Sequence, residues 1–347
     1  MTRSVVRTLP LLLVLIIGCG GANEDPDGAQ SGGAVDEALA ELPYPPRAAE
    51  PASSPPVDSR PAGRVVRVGG PSEGIAADPD TGLLAVARQD RPELTIVDTR
   101  SGEVRKRVRL PATARHLELA RPGGPVLVPA EEADVLVGVS LPQGRTTTTP
   151  VGDFPHSAAF ADGRAYTADE FGSTVTAVDD DGERVGQAVV DVQPGSIVAV
   201  RDQLAVISVR AYTLTLLDQR TLRGGSSQFA GSGPTHAVAD GDDRIYVTDT
   251  RGNALSVFST RPRLKFIARV PLPGGAPLGI AADASRDRVW VTLTATNELV
   301  EVEASDRPRR LRTFPTVRQP NSVAVDERTG RVAVPSDAGD ALQLIDP

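Results

Sequence analysis

"PTHAVADGDDRIYVTD", Pro234 to Asp249, contains a proline, a histidine, a short apolar strand, an acidic turn and a second alternating strand. Period-two alternation on either side of an Asp/Gly turn predicts an antiparallel hairpin. The same outline returns along the chain. "HAVAD" at His236 is matched by "GIAAD" at Gly74, "GIAAD" at Gly279 and "SVAVD" at Ser322. Looser copies are "HLELA" at His116, "SAAFA" at Ser157 and "SIVAV" at Ser196. A second unit follows each: "LTIVD" at Leu94, "LVGVS" at Leu136, "VTAVD" at Val175, "LTLLD" at Leu214, "LSVFS" at Leu255, "LVEVE" at Leu299 and "LQLID" at Leu342. These units end at residues 98, 140, 179, 218, 259, 303 and 346, at spacings of 42, 39, 39, 41, 44 and 43. Two series of seven that stay in phase define a repeat, and a period near 40 is one supersecondary unit.

Each copy holds about four short strands separated by turn signals. After "GIAAD" at Gly74 come the turn "PDTG", then "LLAVA", "LTIVD", the turn "TRSG" and "EVRKRVRL". Four antiparallel strands repeated radially make a β-propeller blade. The predicted fold is therefore all-β, a seven-bladed β-propeller. The seventh copy stops at Pro347 without an outer strand, while "RVVRV" at Arg64–Val68 precedes the first copy unassigned. If that N-terminal strand completes the last blade, the ring closes and an open edge disappears. Only 3% of residues are aromatic, so the core must rest on Val, Leu, Ile and Ala, which suits packed strands.

The N-terminus reads as an export signal, with Arg3 and Arg7 ahead of an apolar stretch, Leu9 to Ile17, too short to span a bilayer. It ends at "IIGC", Ile16 to Cys19, which resembles the lipobox of bacterial lipoproteins. That resemblance implies lipidation of Cys19, the chain's one cysteine, so neither a disulfide nor a free thiol nucleophile would remain. Residues 20–62, with "ANEDPDGAQSGG" and "EPASSPPVDSRPAG", bury too little apolar surface to fold and read as a disordered tether. The expected organisation is signal peptide 1–18, lipidated tether 19–62 and propeller 63–347. The location expected is the extracytoplasmic face of a bacterial membrane. A net charge of −8 without a basic face argues against nucleic acid as a partner.

The succession of proline, a Gly- or Ser-led strand, a "YV" strand and an alternating strand closing on Asp resembles the YVTN-type seven-bladed propellers. "IYVTD" (Ile245–Asp249) and "AYTAD" (Ala165–Asp169) carry the likeness best, and it spans Arg64 to Pro347. It implies architecture and a surface or periplasmic setting. It leaves activity open, since related propellers include lactonases and quinoprotein dehydrogenases.

In a propeller, each crossing into an inner strand delivers residues to the channel mouth. The crossings here are "GPSEG", "ATARH", "DFPHS", "VQPGS", "GSGPTH", "GAPLG" and "RQPNS". All three histidines of the chain, His116, His156 and His236, lie there, in blades two, three and five. Converging imidazoles can hold a divalent metal, bind an anionic ligand or act as a general base. Repeat inheritance alone would also cluster them, and His156 sits one residue earlier than the other two, an offset that can turn a strand side chain elsewhere. Further ligand-binding candidates are Glu73, Arg115 and Asn321 at crossings, and Asp169 and Asp249, whose loops should open on the same face. The acidic turns at Asp78, Asp179, Asp240 and Asp326 lack the twelve-residue ligand set of a calcium loop and read as turns. Trp290 reads as core, and "RPRRLR" from Arg307 as a solvent-facing outer strand. No cofactor is required by any motif. The preferred reading is a monomeric, lipid-anchored binding or scaffold module presenting its channel mouth to a small molecule or an envelope protein. The alternative is a propeller enzyme, a lactonase-type hydrolase or a metal- or quinone-dependent oxidoreductase, with its site at that mouth.

Overall fold

The computed structural model describes residues 47–347. The signal segment, Cys19 and the first part of the tether lie outside the described residues. The body is seven four-stranded antiparallel sheets. Their innermost strands, in chain order, are Ser72–Asp78, Glu118–Leu119, Pro155–Ala161, Pro194–Val200, Pro234–Ala239, Pro277–Asp283 and Ala324–Asp326. Six blades are consecutive in sequence. The seventh takes its outer strand from the other end of the body: Arg64–Arg67 pairs with Ala341–Ile345, with Arg64 opposite Leu344 and Val66 opposite Leu342. The predicted closure is thus what joins the two ends of the propeller.

The core is distributed as seven apolar clusters, each spanning one blade interface. Between blades six and seven, for example, Trp290 and Leu299 meet Val323, Val332 and Ile345. Between blades seven and one, Leu342 and Leu344 meet Ile75, Leu84 and Val97. Blade stacking therefore supplies the burial that no single hairpin could. Trp290 is 2% exposed, as expected of a core residue. The acidic turns work as turns: Asp78 accepts from the Asp80 amide, Asp179 from Asp181, Asp240 from Asp242 and Asp326 from Arg328. Outer strands face solvent, and Arg312 of the "RPRRLR" run turns back to pair with buried Glu301.

One expectation changes. Residues 47–55, part of the stretch assigned to a disordered tether, lie against the body. The Tyr212 hydroxyl donates to the Arg47 carbonyl (2.9 Å), and Arg251 donates to the carbonyls of Arg47 (3.0 Å) and Ala48 (3.1 Å). Gln319 Nε2 donates to the Ala52 carbonyl (2.9 Å), and Asn297 Nδ2 to that of Pro55 (3.0 Å). The Ser54 amide donates to Gln319 Oε1 (2.9 Å), its hydroxyl donates to the Thr294 carbonyl, and the residue is 4% exposed. The segment runs from blades four and five to blades six and seven. A Pro-rich chain has no core of its own, but its extended carbonyls are free to accept and its prolines limit the entropy lost on docking. Among the described residues no helix is long and apolar enough to cross a membrane.

Candidate functional site

The axis of the ring carries the chemistry. On or just before the inner strands, one position of the repeat is occupied in chain order by Gly74, His116, Ser157, Ser196, His236, Gly279 and Ser322. Five of these are small because neighbouring strands nearly touch there. A Cβ on Gly279 would come within 2.6 Å of Ser322 Cα. His116 and His236 fill the space the small residues leave. His156 stands one residue earlier, yet it reaches the same place. The strand pairing slips between Pro155 and Ser157, and equivalent slips mark blades one, four, five and six. Such bulges re-aim side chains beside functional sites.

The three imidazoles meet. One ring nitrogen from each lies within 4.8 Å of the other two. His116 Nε2 and His236 Nε2 are 3.1 Å apart, and the His116 ring centroid is 4.4 Å from that of His236 and 4.6 Å from that of His156. His236 Nδ1 is 3.0 Å from the Leu278 carbonyl, which can only accept. The proton therefore sits on Nδ1, and Nε2 turns a lone pair to the axis. Burial, with the neighbouring His236, His156 and Arg115, holds His116 well below the ordinary histidine range. Burial likewise lowers His236 to about 4, against the opposing Leu278 carbonyl. Both are neutral imidazoles at pH 7, and with His236 Nε2 bare the 3.1 Å contact is a hydrogen bond donated by His116 Nε2–H, a proton that metal binding would move to Nδ1.

Around them stands a ring of charge. His156 Nδ1 is 2.9 Å from Glu131 Oε1 and 3.3 Å from Glu170 Oε2. Neither His156 Nδ1 nor Glu170 Oε2 has a well-aligned hydrogen bond, and both are buried, where polar atoms are rarely left without a partner. Arg115 Nε donates to Glu131 Oε1 (3.0 Å), and Gln193 Nε2 to Glu170 Oε1 (2.8 Å). Burial acts to raise the Glu131 carboxyl, but His156 and Arg115 outweigh it and hold it below its usual range. Glu73 behaves oppositely: burial and the nearby Asp337 push it up to about 8, against the pull of Arg115. Asn321 Nδ2 donates to Asp337 Oδ2 (3.2 Å) and also bonds Glu73.

Two spaces adjoin the histidines. A small one, about 60 Å³, is lined by His116, His156, His236, Glu73, Arg115 and Glu170, and is roofed by Ala48–Pro51 of the N-terminal strap. The other is the axial channel, about 500 Å³, lined by His116 and His236 at one end and by Arg121, Pro122 and Glu327, all exposed, at the other.

Of the sequence candidates, His116, His156, His236, Glu73, Arg115 and Asn321 are brought together. Asp169 and Asp249 are not. Asp169 accepts from Thr167, Thr174 and Thr176, and Asp249 accepts from the Gly233 and Gly252 amides. Both carboxylates brace their own blades, because they end strands whose side chains there face the crossing backbone. The residues that matter follow one or two positions later. Glu131, Glu170 and Asp337 open the loops after the second strands of blades two, three and seven. Lining up the residue just past each second strand would have exposed the first two.

No family model matches the chain, and no curated protein matches it. Solved structures do. A hydrazine synthase chain from Kuenenia stuttgartiensis is similar over 80% of this chain and 97% of its own, at 16% identity and a TM-score of 0.68. Virginiamycin B lyase from Staphylococcus aureus is similar over 81% and 98%, at 15% identity and TM-score 0.65. The β-propeller domain of Myceliophteria thermophila Cps50 (Swd1) is similar over 82% and 99%, at 14% identity and TM-score 0.69. At these identities the likeness establishes the seven-bladed propeller and nothing about activity.

Proposed function

We propose that this protein is a lipid-anchored, extracytoplasmic binding module that holds a divalent transition-metal ion at the propeller axis. The convergence of His116, His156 and His236 carries the reading. Two nitrogens bound to one tetrahedral zinc at ~2.0–2.1 Å lie roughly 3.3 Å apart. The Nε2 atoms of His116 and His236, 3.1 Å apart, already stand near that spacing, and His156 needs only to close in. Metal-bound imidazoles present their second nitrogen to a carbonyl or carboxylate, as His236 does to Leu278 and His156 to Glu131. Three imidazoles suit zinc and its neighbours in the first transition row and leave a fourth position for a ligand. The anchoring part of the proposal rests on the "IIGC" of Ile16–Cys19 and its apolar stretch.

The test is metal content by elemental mass spectrometry, together with zinc titration, on the full mature chain without an affinity tag. One equivalent is expected, absent when His116 and His236 are both replaced by Ala. Metal-free protein that takes up no zinc would refute it. For the anchor, labelled fatty acid should enter the wild type and not Cys19→Ala.

One observation favours the enzyme reading beside this one. Glu73, pushed up to about 8, can exchange a proton near neutral pH beside a metal with an open position. Turnover of a lactone or ester panel that depends on both zinc and Glu73 would move the assignment from binding to catalysis.

A further inference from the structure

The two spaces beside the histidines differ in a way that selects a ligand. The roofed cavity is too small for an organic molecule and is bordered by Glu73, Arg115 and Glu170. The strap closes it through bonds to Arg47, Ala48, Ala52, Ser54 and Pro55. The channel is the opposite. Its volume, about 500 Å³, falls within the range of small-molecule sites. Its wall beyond the histidines is Ala76, Val198, Val238, Ala281 and Ala324, with Phe160. One ionisable side chain interrupts that wall. Glu118 follows His116 by two residues of extended chain, roughly 6–7 Å, and makes no ion pair among the described residues. At the outer rim Arg121 lies over the Phe160 ring, 5.6 Å from its centroid.

From this asymmetry we infer that the channel binds an amphiphilic carboxylate, a small anion with an apolar body, whose head occupies the metal's open position and whose body packs on the Ala/Val wall. The inference rests on the metal reading above. The metal supplies the charge that draws the head, and the apolar wall supplies affinity in proportion to chain length. Arg121, also 3.7 Å from Asp180 Oδ1, stands at the rim with Glu327. Glu118 presents a carboxyl in that wall, two residues along from His116. The ligand enters from the face opposite the strap.

The experiment uses the full mature chain loaded with cobalt, whose visible absorption reports coordination, titrated with octanoate, acetate and octylamine. Octanoate should change the cobalt spectrum and bind at least tenfold more tightly than acetate and than octylamine. Val238→Phe, or Val198→Phe should the first fold poorly, narrows the wall. Either should weaken octanoate at least fivefold while leaving cobalt and acetate binding intact. Equal affinity for acetate and octanoate, preference for octylamine, or cobalt bound with a spectrum indifferent to octanoate would each overturn the inference and leave the metal site standing. Failure to take up cobalt at all would overturn both.

Discussion

The histidine layer has two unlike sides. Above it, under the strap, ionisable groups crowd: Glu73, Arg115, Glu131 and Glu170 surround three imidazoles in little space. Below it, a channel about eight times larger in volume is walled by Ala, Val and Ile, with the carboxyls of Glu118 in its wall and Glu327 at its rim. The charged side sets protonation and orientation, because hydrogen bonds and ion pairs there are buried and therefore directional. The apolar side sets no orientation and offers room. Between that polar support and that apolar space the proposed metal would keep one exchangeable position.

Four predictions would break or sharpen that comparison. The largest effect should come from the layer itself: His116→Ala or His236→Ala lowers zinc affinity by more than about a hundredfold, read by competition with a chromophoric chelator, since each removes a ligand. Next comes the polar side. Glu131→Gln leaves all three imidazoles in place but removes the charge that orients His156, so zinc affinity should fall by about 10–100-fold. An unchanged affinity would reduce Glu131 to a structural partner of Arg115.

The roof is worth less. Ser54→Ala removes two hydrogen bonds, one donated to the Thr294 carbonyl and one accepted from the Gln319 amide, together about 1–2 kcal/mol, which should speed amide exchange of residues 48–56 by roughly five- to thirtyfold and leave global stability nearly unchanged. Uniform exchange across the strap in both proteins would show that it docks by other contacts. The smallest effect belongs to the apolar side. Glu118 is raised to about 7 in the folded protein from 4.5. Between those two values the unfolded chain has already released the proton and the folded chain has not, so this group's contribution falls as pH rises. Glu118→Gln should therefore raise Tm more at pH 8.5 than at pH 4, by about 2 °C for each kcal/mol relieved. A gain independent of pH would mean that Glu118 finds a charge partner within the channel.

Much of this was legible in residues. The seven-fold repeat, the propeller and its closure by Arg64–Arg67 follow from local periodicity, because hairpins and turns are decided by neighbours in sequence. The three histidines stood out because they share one place in the repeat. Asp169 and Asp249 share a place too, and the same logic misassigned them. Position in a repeat says which loop a residue joins, not which way its side chain turns, and Thr167, Thr174 and Thr176 claim Asp169 first.

By itself the sequence determined the number of blades, the order of their strands, the joint between the ends and the ring position of each histidine, all consequences of short-range pattern repeated in phase. Only the tertiary structure decided the rest. A bulge between Pro155 and Ser157 lets His156 reach the axis. Glu131 and Glu170, from two different blades, meet at one imidazole. A Pro-rich segment, unable to order itself, becomes a roof by borrowing donors from Arg251, Asn297 and Gln319. These depend on groups 14 to 267 residues apart. Such contacts form only when the ring closes and brings distant blades around a common axis, and no pattern along the chain encodes that distance.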